Sequence, residues 1–131
     1  MPYTIDIDHW IPRVTVVGSD PVGLPDALAL LGRQIADGAW AYGTLHDARR
    51  VTWVPTLDDI RTIVAYVDTN ARTLGPRGPV AFVAAPAALF GIARMYSQIA
   101  GGSALQAEVF QDVTAAARWL DREAARPPQR P

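Results

Sequence analysis

The stretch TLDDIRTIVAYVDTNARTLGPRGPVAFVA, residues 56–84, holds one helix and one strand back to back, and its reading decides the fold. Thr56 can accept from the amide of Asp59 while the Asp59 carboxylate reaches back to residue 56, a capping-box arrangement that starts a helix. Leu57, Ile60, Ile63, Val64, Val67, Ala71 and Leu74 follow at helical spacing, which predicts a helix with one buried stripe. Gly75 can supply a left-handed cap and Pro76 cannot continue the helix, so it stops there. Val80 to Ala84 is short and wholly apolar, as expected of a strand covered on both faces and central in a parallel sheet.

Upstream the same alternation holds. Tyr3, Ile5 and Ile7 face one way and Thr4, Asp6 and Asp8 the other, the period of a half-buried strand. After Trp10, Ile11 and Pro12 a second strand runs from Arg13 to Gly18, which suggests a hairpin. Leu24, Ala27, Leu28, Leu31 and Ile35 lie on one helical stripe between Pro25 and Gly38, predicting a helix over 24–36. Trp40 to Asp47 reads as a third strand and Ala48 to Pro55 as an Arg-rich loop. Downstream, Pro86 opens a helix to about Ala100, Leu105 to Phe110 alternates as a strand, and Asp112 caps a last helix bearing Val113, Ala116, Ala117 and Leu120.

The element order is therefore ββαβαβαβα. It predicts an α/β domain with a mainly parallel sheet, right-handed crossovers and an antiparallel strand of the N-terminal hairpin at one edge. A chain of 131 residues suffices for one core, so residues 1–124 are expected to form a single domain. Residues 125–131, ending in Arg-Pro-Pro-Gln-Arg-Pro, read as a disordered Pro-rich tail, and the Pro128 to Pro131 spacing as a chance PxxP.

Composition narrows the function classes. Half the residues are apolar and the net charge is −1, with every cation an arginine and none clustered into a basic face, so no nucleic-acid partner is expected. The absence of cysteine removes disulfides and thiolate metal ligands and fits a cytoplasmic setting. Met1 to Trp10 lacks the basic start and apolar run of a signal peptide, and no stretch approaches the roughly 20 apolar residues of a transmembrane segment.

The phrase VAFVAAPAALFGIARMYSQIA at residues 80–100, with AEVFQDVTAAARWL at 107–120 and the upstream Asp47-Ala48-Arg49 followed by VPTLDDI, resembles the SpoIIAA-like (STAS-like) family of small bacterial anti-sigma-factor-antagonist-like proteins. Phe90, Gly91, Ala93, Arg94, Met95 and Tyr96 carry most of the likeness. The resemblance implies a superhelix of successive strand-and-helix turns, related in plan to the lipid-carrying CRAL-TRIO domain, and a non-enzymatic module that binds a regulatory protein partner or a second copy of itself as a homodimer. A carrier of a small apolar or lipid-like ligand is the alternative, and an enclosed apolar pocket between the last helices and the sheet would distinguish it. In the antagonists proper a serine at a helix start is phosphorylated. The nearest hydroxyl here is Thr56, which the N-cap role already explains.

Several polar and aromatic side chains carry potential chemistry. His46 beside Asp47, with a distant Ser19, could be imagined as an acid-base set, yet no nucleophile-elbow motif is present and Asp47 can equally pair with Arg49 or Arg50. Asp6, Asp8 and His9 offer metal ligands, but alternation sends Asp6 and His9 to opposite faces and solvated edge acids explain them. No metal, catalytic residue or cofactor is therefore expected. Arg49 and Arg50 beside the Thr56 helix start could hold an anion or form a solvated basic loop. Phe90, Arg94 and Tyr96 are the first candidates for a ligand or partner surface because they match the family phrase. Trp10, Trp40 and Trp53 sit in or beside turns, where they could line a cavity, face a partner or roof the core.

Overall fold

The computed structural model describes residues 3–86, 88, 91 and 106–126. Among these, five strands form one sheet in the order β1-β2-β3-β4-β5, each strand beside its predecessor in the chain. Strands β1 (Tyr3–Asp8) and β2 (Arg13–Ser19) pair antiparallel as the hairpin, and β2, β3 (Gly43–Arg50), β4 (Val80–Val83) and β5 (Ala107–Phe110) run parallel. The α/β class and the antiparallel edge strand agree with the alternation in the sequence.

Helices α1 (Leu24–Ala36), α2 (Leu57–Leu74) and α3 (Val113–Ala125) cover the sheet unequally. Alternate residues of a strand face opposite sides, so one register assigns the cores. Val14, Thr44 and Val80 are aligned across β2, β3 and β4, as are Val16, His46 and Phe82, and this face meets α1 and α2. Leu31 of α1, Ile60, Ile63, Val64 and Val67 of α2, Trp40 and Val80 form one cluster there, while Val14, Val16, Tyr3 and Leu30 form another. The opposite face presents Leu45, Ala81 and Val83 to Ala116 and Leu120 of α3. Each fully buried aliphatic side chain in these layers contributes about 1.5–3 kcal/mol, so packing, more than helix propensity, holds the elements in place.

The caps follow the sequence. The Thr56 hydroxyl accepts from the Asp59 amide at 3.1 Å and the Thr56 amide donates to the Asp59 carboxylate at 2.9 Å. Gly75 ends α2 at φ 85°, a left-handed conformation that a Cβ would strain. Asp112 caps α3 by accepting from the Ala115 amide at 2.8 Å.

The third strand begins and ends three residues later than expected from the aromatic run at Trp40. Trp40 instead turns inward, 5% exposed, and its indole Nε1 donates to the Gly75 carbonyl at 3.0 Å. Tyr42 closes a turn on the Ala39 carbonyl, and the ladder extends through Arg50, paired with Ser19 past an irregularity in β2. The residues read as an Arg-rich loop, Ala48 to Arg50, thus belong to the strand. The helix expected from Pro86 to Ala100 falls largely outside the described residues. At the C-terminal end, α3 reaches Ala125, the first residue assigned to the tail.

Candidate functional site

The segment Gly75-Pro76-Arg77-Gly78-Pro79 passes close beneath the turn at residues 39–42. The Gly78 amide donates to the Trp40 carbonyl at 3.0 Å, and the Thr44 amide donates to the Pro79 carbonyl at 2.9 Å. A Cβ at position 78 would collide with the carbonyl oxygens of Ala41 and Tyr42, so glycine permits this approach. The consequence is that Arg77, on a turn that reads as solvent-exposed, is carried inside.

Arg77 is 5% exposed. Its Nη1 donates to the Trp40 carbonyl at 3.1 Å, its Nη2 makes a long 3.4 Å contact to the Thr44 hydroxyl, and the guanidinium lies 5.3 Å from the centre of a Trp40 ring. Its Nε has no partner. Among the described residues, which include all 13 acidic side chains of the chain, no carboxylate pairs with it. Burial pulls its pKa down to about 10, which leaves it cationic near neutrality.

Beside it lies a cavity of about 110 Å³ between the sheet and the α1/α2 layer. Its floor is polar: Arg77, Thr44 near the start of β3, and Gln34 in the last turn of α1. Gln34 is 1% exposed, and neither its amide nitrogen nor its amide oxygen has a hydrogen-bond partner. Its walls are apolar, with Leu30 and Leu31 of α1, Ile63 and Val67 of α2, and Val80 and Phe82 of β4. At the other end the half-buried Val51, Trp53 and Pro55 border the space, and exposure rises toward them from the floor, so the cavity opens at the loop beyond the carboxyl end of β3. That is where ligands enter parallel α/β sheets.

His46 projects into this space between the rings of Tyr3 and Phe82, whose centroids lie 5.5 and 5.1 Å away. Burial drives its pKa down to about 4 against the opposing pull of Asp47, and Arg77 lowers it further, so the imidazole is neutral at physiological pH. Burial likewise pushes the Tyr3 phenol up to about 12.

Asp47 does not serve His46. The next residue along a strand points to the other face, and the Asp47 carboxylate is held there by Arg49, with Nη2 at 2.7 Å, Nε at 2.9 Å and the backbone amide at 3.1 Å. This pairing keeps the Asp47 carboxyl below its ordinary range and takes up the Arg49 guanidinium, which the anion reading would need. Ser19 pairs with Arg50 in the ladder, well past Val16, the partner of His46, so the imagined acid-base set is not assembled.

The other candidates separate as follows. Trp53 lines the cavity, Trp40 roofs the core, and Trp10 stands 95% exposed at the hairpin turn beside Ile11 at 58%. Thr56 is spent on its cap. Asp8 accepts from the Trp10 and Ile11 amides, and His9 Nδ1 lies 2.7 Å from the Tyr42 hydroxyl, so both have structural roles. Among the described residues no group of three potential ligands could hold a metal ion, and no helix is long and apolar enough to cross a membrane. Phe90, Arg94 and Tyr96 lie outside the described residues. The cavity sits under the first two helices, whereas the pocket that would mark a lipid-like carrier, between the last helices and the sheet, falls largely outside the described residues.

Gln34, Thr44 and Arg77 are the site residues that sequence reasoning missed. Gln34 did leave a signal: it stands three residues after Leu31 and seven after Ala27, a polar side chain on a buried stripe. Comparison with protein-family models, curated proteins and solved structures finds no match to this chain.

Proposed function

We propose that this domain is a non-enzymatic binding module that holds a small, largely apolar ligand in the cavity between the sheet and helices α1 and α2. The observation that carries this reading is the 110 Å³ space itself, apolar along its walls and open beside Trp53. Close-packed interiors leave few voids larger than a water molecule, and an engineered apolar cavity of about 150 Å³ accepts benzene. At about 110 Å³ the space is smaller than that benzene site, so it suits a short branched chain, or a ring that extends into its mouth, and excludes a whole lipid, which narrows the lipid-like carrier alternative. Binding without turnover is supported by the arrangement around His46, which faces the cavity while Asp47 is turned away from it and clamped by Arg49.

The sequential strand order, each strand laid beside the last, is what a superhelix of strand-and-helix turns requires, and it supports the SpoIIAA-like reading of the fold. A second reading, docking of a regulatory protein or a second copy of this chain, is favoured by one observation: Trp10 and Ile11 form an exposed apolar tip on the β1–β2 turn.

The test is uptake of benzyl alcohol followed by saturation-transfer NMR, using the wild type and Ala48→Leu. Ala48 lines the cavity, so the larger side chain fills the space. Binding by the wild type that is lost in a folded Ala48→Leu variant is the expected result. Binding that persists unchanged in the variant would place the ligand elsewhere and overturn the assignment.

A further inference from the structure

We infer that the ligand is a small carboxylic acid, bound with its carboxylate on the floor of the cavity against Arg77 and Gln34 and its apolar body toward Trp53. This rests on the cavity being a ligand site at all, and it adds the chemical class of the ligand.

Three observations converge. The first is a cation with no anion among the described residues: Arg77 is buried, and none of the 13 acidic side chains pairs with it. A buried charge is ordinarily paired, because desolvation is costly and only a counter-charge or a set of hydrogen bonds offsets it. The Trp40 carbonyl and ring satisfy one side of the guanidinium. The edge formed by Nε and Nη2 retains an unpartnered N–H at Nε and only the long contact to Thr44 at Nη2. That edge is the two-donor fork that matches a planar carboxylate.

The second is Gln34. An amide buried to 99% with both of its polar atoms unpartnered is an uncommon arrangement in a native core, and here it borders the same floor. Its NH2 can donate to a carboxylate oxygen, and the Thr44 hydroxyl is close by for a further bond.

The third is size and polarity. The floor is polar and the walls are apolar, so an occupant must carry its charge at one end, and about 110 Å³ limits the whole to a single ring or a short branched chain. A phosphate monoester would bring two charges and three strong acceptor oxygens to a floor that offers one cation, and is disfavoured on that count.

The experiment is isothermal titration with sodium benzoate and with benzyl alcohol, its neutral counterpart, at pH 7.5 in the wild type, Arg77→Met and Gln34→Leu. The expected result is at least tenfold tighter binding of benzoate by the wild type. Arg77→Met should remove that preference while benzyl alcohol still binds. Gln34→Leu should weaken benzoate at least threefold with little effect on benzyl alcohol, and it decides the matter if Arg77→Met does not fold. Benzyl alcohol bound as tightly as benzoate by the wild type would overturn the acid assignment and leave the cavity reading standing. Neither probe binding would overturn both.

Discussion

The rings of His46 and Phe82 pack 5.1 Å apart, tilted by 34°, from register-paired positions on the parallel strands β3 and β4. With Tyr3 on its other side, the imidazole is held among aromatic surfaces at the cavity wall, where a positive charge would lose its hydration. It therefore acts as one more ring in an aromatic cluster, edge-to-face with Tyr3 and tilted against Phe82, and its basicity becomes a liability in acid.

The pH dependence follows in sign. Burial holds the folded His46 at about 4, below the 6.5 expected of an exposed imidazole. Between those values the unfolded chain binds a proton that the folded chain does not. The stability associated with neutral His46 is thus complete above about pH 6.5 and is lost as pH falls toward 4. The shift corresponds to something on the order of 3 kcal/mol. Urea unfolding of wild type and His46→Phe at pH 7 and pH 4.5 checks this: the wild type should lose more stability than the variant over that interval, and equal losses would mean that the ring is hydrated.

Thr56→Ala removes the hydroxyl that accepts from the Asp59 amide. A cost of about 1 kcal/mol is expected in urea unfolding, as for other N-cap deletions, with uptake of benzyl alcohol unchanged. A variant as stable as the wild type would show that the start of α2 is held by packing alone.

Leu120 is 1% exposed between α3 and the face of the sheet opposite the cavity. Leu120→Ala should cost about 2–5 kcal/mol, since a buried leucine leaves both a lost transfer energy and a hole. At temperatures where the variant remains folded, its affinity for benzyl alcohol should match that of the wild type.

Trp10 is almost fully exposed, so Trp10→Ser should alter stability by less than about 0.5 kcal/mol. If the hairpin tip is a docking surface, the same change should abolish whatever self-association the wild type shows in sedimentation velocity. A dimer that survives it would remove the tip from the interface.

Local features were legible in the sequence and tertiary ones were not. Helix α2 could be read residue by residue because its stripe, its Thr56 cap and its Gly75 stop depend on neighbours within a few positions. Trp40 has the composition of a strand residue and so reads as the start of β3, and only its indole bond to Gly75, 35 positions away, puts it in a turn. Arg77 is the extreme case. Between Gly-Pro and Gly-Pro it has every mark of a solvated loop residue, and its burial depends on Gly78 lying against the backbone of Ala41 and Tyr42. His46 and Asp47 read as neighbours at a strand end, but β3 runs on to Arg50, so both lie in mid-strand, where adjacency separates them in space.

Strand β3 answers to two masters at alternate positions. Thr44, His46 and Ala48 border the cavity, whereas Leu45 packs with the α3 layer and Asp47 is clamped by Arg49. Deleting one residue at the Gly43–Thr44 junction would therefore be a heavier blow than any single substitution: it would deliver a leucine and a carboxylate to the hollow side and send the imidazole to the packed one. For this strand the reading frame of the pleat is inherited as one unit, so the shape of the chamber and the integrity of the layer behind it can be tuned residue by residue but never shifted apart.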